Sequence, residues 1–280
     1  MNQKNQYDVV VVGGAGHIGI PLSLVMADRG LRTLILDINQ GAMDELKAGR
    51  MPYYEDGGEP MLRKALDADM LGFTSDYADV AGVPAIIVTI GTPIDEFHNP
   101  NVRLLTSCLD GLGPYLSDEQ TIILRSTIAP GGTDHADRHL RKMGKKTGLA
   151  FCPERVVQGE GIAEIQALPQ LVSATSPEAL EAAKALFSKI APEVVELTRH
   201  EAEYAKLVCN AYRYIHFAAT NQLYMMVENA GIDYNGLLAK MRQSYPRMAS
   251  IPGPGFAAGP CLMKDTMQLF AFHKHNFILG

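Results

Sequence analysis

The chain has 280 residues, 47% hydrophobic and 20% charged, with a formal net charge of −6, which suits an ordinary globular protein of two modest domains. An acidic balance without a long Lys/Arg run argues against a nucleic-acid or anionic-lipid surface, and nowhere do about 18 apolar residues run together uncharged as a membrane span requires. The start MNQKNQYDVVVVGG lacks a basic segment before a longer apolar core, and Cys108, Cys152, Cys209 and Cys261 form no CxxC or CxxxH spacing, so no signal peptide, metal site or disulfide framework is expected and the cytoplasm is the expected setting.

In chain order, short apolar runs alternate with helical patterns, which predicts an α/β fold: a Rossmann-like doubly wound parallel sheet with helices on both faces. Strands are expected at 8–13 (DVVVVG), 32–37 (RTLILD), 85–90 (AIIVTI), 121–126 (TIILRS), 149–152 (LAFC), 170–174 (QLVSA) and 193–197 (EVVEL). The sheet should end near residue 197. From Arg199 to Asn229 there is no Gly or Pro and apolar residues recur at three- and four-residue spacing, which predicts one long central helix, roughly 45 Å at 1.5 Å per residue, stopped by Gly231. A second helix over 233–244, a loop rich in Gly and Pro, and a last helix beginning near Lys264 complete a small all-helical domain. The expected domains are therefore 1–198, binding a dinucleotide, and 199–280. Apolar residues around much of the long helix exceed what so small a domain can bury, so a homodimer through 199–229 is expected. The last helix is still apolar where the chain stops, which suggests a piece of a longer protein. Cys108, Cys152 and Cys209 sit within apolar patterns and are expected to be small buried hydrophobes.

The stretch GGAGHIG directly follows the first strand and places Gly14, Gly16 and Gly19 at G-x-G-x-x-G spacing, with His17 and Ile18 between the last two. The first glycine is expected to make the tight turn, the second to let backbone N–H groups approach a pyrophosphate, and the third to let helix and strand pack closely. Asp37 closes the second strand and would accept hydrogen bonds from a ribose 2′-OH while repelling a 2′-phosphate. NAD is therefore the expected cofactor. GTPID (91–95) and RSTIAPGG (125–132) follow later strands, at the edge where ligands bind in such sheets, so Thr92 and Thr127 are candidates for the far half of the cofactor and the reacting centre.

GFAAGPCLMKD (255–265) frames Cys261 with small residues on one side and a lysine and an aspartate on the other. Lys264 and the N-terminus of the following helix would favour a thiolate, and hence a nucleophile. The alternative is one more buried thiol.

The segments GGAGHIG, GTPID with NPN, STIAPGG, CPERVVQG, EAEYAKLVCNAYR and GFAAGPCLMKD, in this order, resemble the UDP-glucose/GDP-mannose dehydrogenase family, the nucleotide-sugar 6-dehydrogenases. The resemblance implies an NAD-dependent, four-electron oxidation of the C6 hydroxymethyl of a nucleotide sugar, in which Cys261 attacks the aldehyde carbon. It implies that Lys206 and Asn210 contact the oxyanion and that Glu154 is the general base or water-orienting carboxylate. Asp265 and Thr127 resemble the groups that position the lysine and the hydrolytic water, and Lys264 would assist binding or thiolate formation. Three departures stand out: Ala-Ala-Gly-Pro before the cysteine, Gln158 where many relatives carry an acid, and the family's C-terminal nucleotide-binding domain, which these residues do not include. The readings in competition are a two-electron β-hydroxyacid-type dehydrogenase, which needs no cysteine, and an inactive NAD-binding dimerisation module.

Overall fold

A computed structural model describes residues 7–91, 102–256 and 259–273. They form two compact units, a first that ends at Tyr204 and a second that starts at Ala205.

The first unit carries, in order, β1 (Val9–Val12), α1 (Gly19–Asp28), β2 (Thr33–Leu36), α2 (Gln40–Lys47), α3 (Gly58–Asp67), β3 (Leu71–Thr74), β4 (Ala85–Val88), α4 (Val102–Leu112), β5 (Thr121–Leu124), α5 (Gly132–Lys142), β6 (Gly148–Phe151), α6 (Gly161–Ala167), β7 (Gln170–Ala174), α7 (Pro177–Phe187) and β8 (Val194–Glu196). The strands form one eight-stranded sheet in the order β3-β2-β1-β4-β5-β6-β7-β8. Val11 stands opposite Ile35 on one side and Ile87 on the other. Alternate residues serve opposite layers: Val9, Ile35, Ile87, Ile123 and Ala150 join one apolar cluster, and Val10, Leu34, Ile86, Ile122 and Leu149 the other. With both faces covered, each central strand reads in sequence as an unbroken apolar run rather than an alternation.

The fold is the Rossmann-like sheet expected, with two corrections. The edge strand β3, sequence LGFT, was not anticipated: Gly72 interrupts so short a run, and only Leu71 in it is fully buried. Second, β7 pairs antiparallel with β6, with Ala150 opposite Ala174 and Phe151 opposite Ser173. Its first residue, Gln170, therefore lies at the sheet edge where β5 and β6 end.

The long helix α8 (Arg199–Asn229) begins in the first unit, where the buried carboxylate of Glu203 accepts N–H bonds from Gly131 (2.7 Å) and Thr133 (2.8 Å) at the start of α5. In the second unit it ends at Gly231, whose φ of +76° lets Ile232 N–H reach Val227 O at 3.2 Å. Asp233 caps α9 (Tyr234–Arg242) by accepting from Asn235 N and Gly236 N. The last helix, α10 (Gly259–Phe272), starts five residues earlier than Lys264. The reason is Pro260, which reads as a breaker but is well accommodated in the first turn of a helix, where its missing N–H has no intrahelical partner to lose. Cys261 consequently sits inside the first turn of α10, not in a loop ahead of it. Among the described residues no helix is long and apolar enough to cross a membrane.

Candidate functional site

At the end of β1 the chain turns at Gly13, with φ +75°, so the tight turn expected of Gly14 is made one residue earlier. Gly13 N–H donates to Leu36 O (2.8 Å) and its carbonyl accepts from Gly16 N (3.2 Å). Gly14 and Gly19 provide close packing: a Cβ at Gly14 would lie 2.6 Å from Val11 O, and one at Gly19 would lie 2.5 Å from Gly14 Cα. Gly16 differs, since a Cβ there meets only Gly13 O at 3.4 Å and otherwise projects into open space. Room inside the protein does not require a glycine at 16. Its open side leaves the backbone accessible to an outside group.

Asp37 closes the loop from the neighbouring strand, with Oδ2 accepting Ala15 N–H and Oδ1 accepting Asn39 N–H, both at 2.9 Å. A carboxylate has about four acceptor directions, so those left over can take a ribose diol. Beside it Ile38 is 84% exposed, an apolar platform that the sequence reading passed over. His17 is exposed and packs against Tyr53 with ring centroids 3.9 Å apart and planes tilted by 43°, while Ile18 is half-buried. Tyr53 Oη donates to Gly16 O at 3.1 Å, and burial together with Glu55 pushes its phenol above the usual range, so it remains a donor. Gln158 Nε2 lies 2.9 Å from His17 Nδ1, which joins the glycine-rich loop to the segment after β6. These features fit a dinucleotide pyrophosphate and ribose. Gly16→Ala should leave the melting temperature unchanged while weakening NAD binding in a calorimetric titration, whereas Gly19→Ala should lower both. Equal NAD affinity for Gly16→Ala and the native protein would refute the assignment.

Thr127, half-buried, lies in the loop after β5, and Glu154 in the turn after β6. Arg125, between β5 and Thr127, is 1% exposed and its Nη2 forms an ion pair with Glu154 Oε2. Both line a cleft with Pro153, Arg155, Glu164 and Gln170. Thr92 lies outside the described residues.

In the second unit, α8 carries Lys206 and Asn210 one turn apart, the first half-buried and the second buried. Asn210 Nδ2 donates to Asp265 Oδ2 at 2.6 Å, and Asp265, wholly buried, has Lys264 Nζ 3.8 Å from its other oxygen. Four of the singled-out side chains therefore share this unit with Cys261, which is exposed. Cys108 and Cys152 are buried as expected, and desolvation pushes their thiols up to about 11 and about 12. Cys209 is exposed rather than buried, because its position on α8 falls beside the outward-facing Val208 and Tyr212.

Residues 8–191 match the UDP-glucose/GDP-mannose dehydrogenase family, NAD binding domain, and residues 200–278 match that family's central domain. The chain belongs to the UDP-glucose/GDP-mannose dehydrogenase family. A UDP-N-acetyl-D-glucosamine 6-dehydrogenase of Pseudomonas aeruginosa is 28% identical over 275 residues, 93% of this chain and 62% of that protein. A UDP-N-acetyl-D-mannosamine dehydrogenase of Methanococcus maripaludis is 25% identical over 284 residues, 99% of this chain and 64% of that protein. The chain thus spans under two thirds of these relatives. The solved UDP-D-ManNAc dehydrogenase of Pyrococcus horikoshii superposes with a TM-score of 0.88 at 24% identity, covering 96% of this chain and 65% of that one, and shares its fold. Family membership makes NAD the cofactor of the first unit.

Sequence reasoning missed Gly13, Ile38, Tyr53 and Arg125. For Arg125 a signal existed, a cation directly after a strand buried throughout. For Tyr53 there was none, since its partner Gly16 is 37 residues away.

Proposed function

We propose that the protein oxidises the C6 hydroxymethyl of a nucleotide sugar to the uronic acid, with Cys261 as covalent nucleophile. One observation carries this reading: in a family with an NAD-binding domain, the central-domain unit presents an exposed thiol on the same short helix as the Lys264–Asp265 pair that meets Asn210. Bound NAD supplies a hydride acceptor. The alcohol first loses a hydride and a proton to become an aldehyde. The Cys261 thiolate adds to the aldehyde carbon, forming an S–C bond and an oxyanion that Lys206 and Asn210 stabilise. Loss of a second hydride from this thiohemiacetal, to an NAD that has replaced the first NADH, leaves a thioester. Water then breaks the S–C bond, releasing the acid and the thiol, with Glu154 and Thr127 orienting the water and Asp265 holding the amide of Asn210. Lys264 serves binding or thiolate formation.

The same proposal assigns 1–198 to cofactor binding and 199–280 to the catalytic and dimerising domain, in the cytoplasm. The homodimer is assigned to the outer face of α8, where Val208, Tyr212, Ile215, Leu223 and Met226 are exposed at helical spacing. The names of the two relatives make UDP-N-acetylhexosamines the first substrates to try. The full-length protein, given NAD and in turn UDP-N-acetylglucosamine, UDP-N-acetylmannosamine, UDP-glucose and GDP-mannose, should release two NADH for each sugar consumed with one of them. A single NADH per sugar would replace this reading with a two-electron dehydrogenase.

A further inference from the structure

Arg125 is a cation buried at the end of β5, and its guanidinium has a defined partner in several directions. Nη1 donates to Gln170 Oε1 at 2.8 Å and to Cys152 O at 3.3 Å, Nη2 pairs with Glu154 Oε2, and the group lies over the Phe187 ring, 5.0 Å from its centroid. Gln170 in turn donates to Pro153 O and Leu171 O, so the residue preceding Glu154 is tied to the same web. Glu154 N–H donates to Arg125 O at 3.3 Å. The two residues are joined through backbone as well as side chains.

The other carboxylate oxygen of Glu154 is fully engaged by backbone donors. Oε1 accepts the N–H groups of Arg155 (2.7 Å) and Val156 (3.1 Å). Of about four acceptor directions on a carboxylate, the two on Oε1 are therefore filled, whereas buried Oε2 makes the ion pair with Nη2 and no hydrogen bond, so it keeps acceptor capacity. A carboxylate this buried needs a paired cation to be tolerated, and Arg125 supplies it.

We propose that Arg125 is a positioning residue for Glu154, fixing the plane of the carboxylate so that its remaining acceptor direction orients the water of the hydrolytic step. The inference rests on the covalent mechanism proposed above and adds a residue to it. Arg125 touches no reacting atom. Its planar fork serves Gln170, Cys152 O and Glu154 together, whereas a lysine would keep the charge and lose the directions.

The test compares native full-length protein, Arg125→Lys and Glu154→Gln with the sugar nucleotide that yields two NADH, reading first-turnover NADH, steady-state rate, KM and the mass of the quenched protein. Arg125→Lys should release both NADH in its first turnover, then slow roughly 100-fold with KM little changed, as expected for a misplaced group. It should also accumulate an acyl adduct on Cys261, as Glu154→Gln does. An adduct-free Arg125→Lys whose first-turnover and steady-state signals fall together with its folded fraction by circular dichroism would reduce Arg125 to a structural role and overturn the inference. So would a native steady-state rate. Native turnover by Glu154→Gln removes the inference but leaves the cysteine reading standing, while one NADH per sugar from the native protein removes both.

Discussion

Replacing Cys261 with alanine is expected to lower formation of the sugar acid by on the order of 1000-fold or more, the scale on which loss of a covalent nucleophile is felt. The first hydride departs from an alcohol carbon before any S–C bond exists, so the variant should still produce at most one NADH per sugar, with aldehyde or its hydrate as product. Coupled NADH absorbance and mass spectrometry of the sugar nucleotide separate the two cases. No other thiol can substitute. Cys108 and Cys152 are buried, and with thiols raised to about 11 and about 12 they hold almost no thiolate at neutral pH. Cys209 is exposed, but it lies beside the outward-facing Val208 and Tyr212 and has no role in the proposed machinery, so Cys209→Ala should keep native turnover. Full acid production by Cys261→Ala would end the covalent mechanism and leave a dinucleotide-dependent dehydrogenase of another kind.

Arg125→Met should be strongly destabilising for the first unit. It removes the cation but leaves Glu154 buried with its charge, a loss of about 3–5 kcal/mol by the usual scale for one half of a buried pair. It also strips Gln170 Oε1 and Cys152 O of their donor. For a unit of this size the apparent melting temperature should fall by roughly 10 °C. The double variant Arg125→Met with Glu154→Gln should recover part of that loss, because the second change removes the stranded charge. Differential scanning calorimetry of the four proteins closes the cycle. Additive losses would mean that Arg125 and Glu154 do not interact energetically.

The sequence by itself determined the architecture. Four consecutive valines in β1, the apolar runs of β2, β4, β5 and β6, and the Gly- and Pro-free stretch 199–229 each declare their element, because a strand buried on both faces and a long helix leave periodic or unbroken apolar signals. The glycine spacing and Asp37 likewise pointed to the cofactor, and the ordered motifs to the family. Where a single residue departed from its element's pattern, the reading slipped: Gly72 hid β3, and Pro260 delayed the start of α10.

Only the tertiary structure decided which groups hold one another. That Glu154 is clamped by Arg125 depends on β5 and β6 being neighbours, and that Gln170 reaches the same guanidinium depends on β7 running antiparallel. That Gly13 rather than Gly14 makes the turn, and that Cys209 faces outward, are likewise matters of φ and of a helix's angular position. Local patterns record what each segment buries along its own length. Ion pairs and hydrogen bonds between residues tens of positions apart arise only once the sheet order brings strand ends together, and no spacing in the chain encodes that order directly.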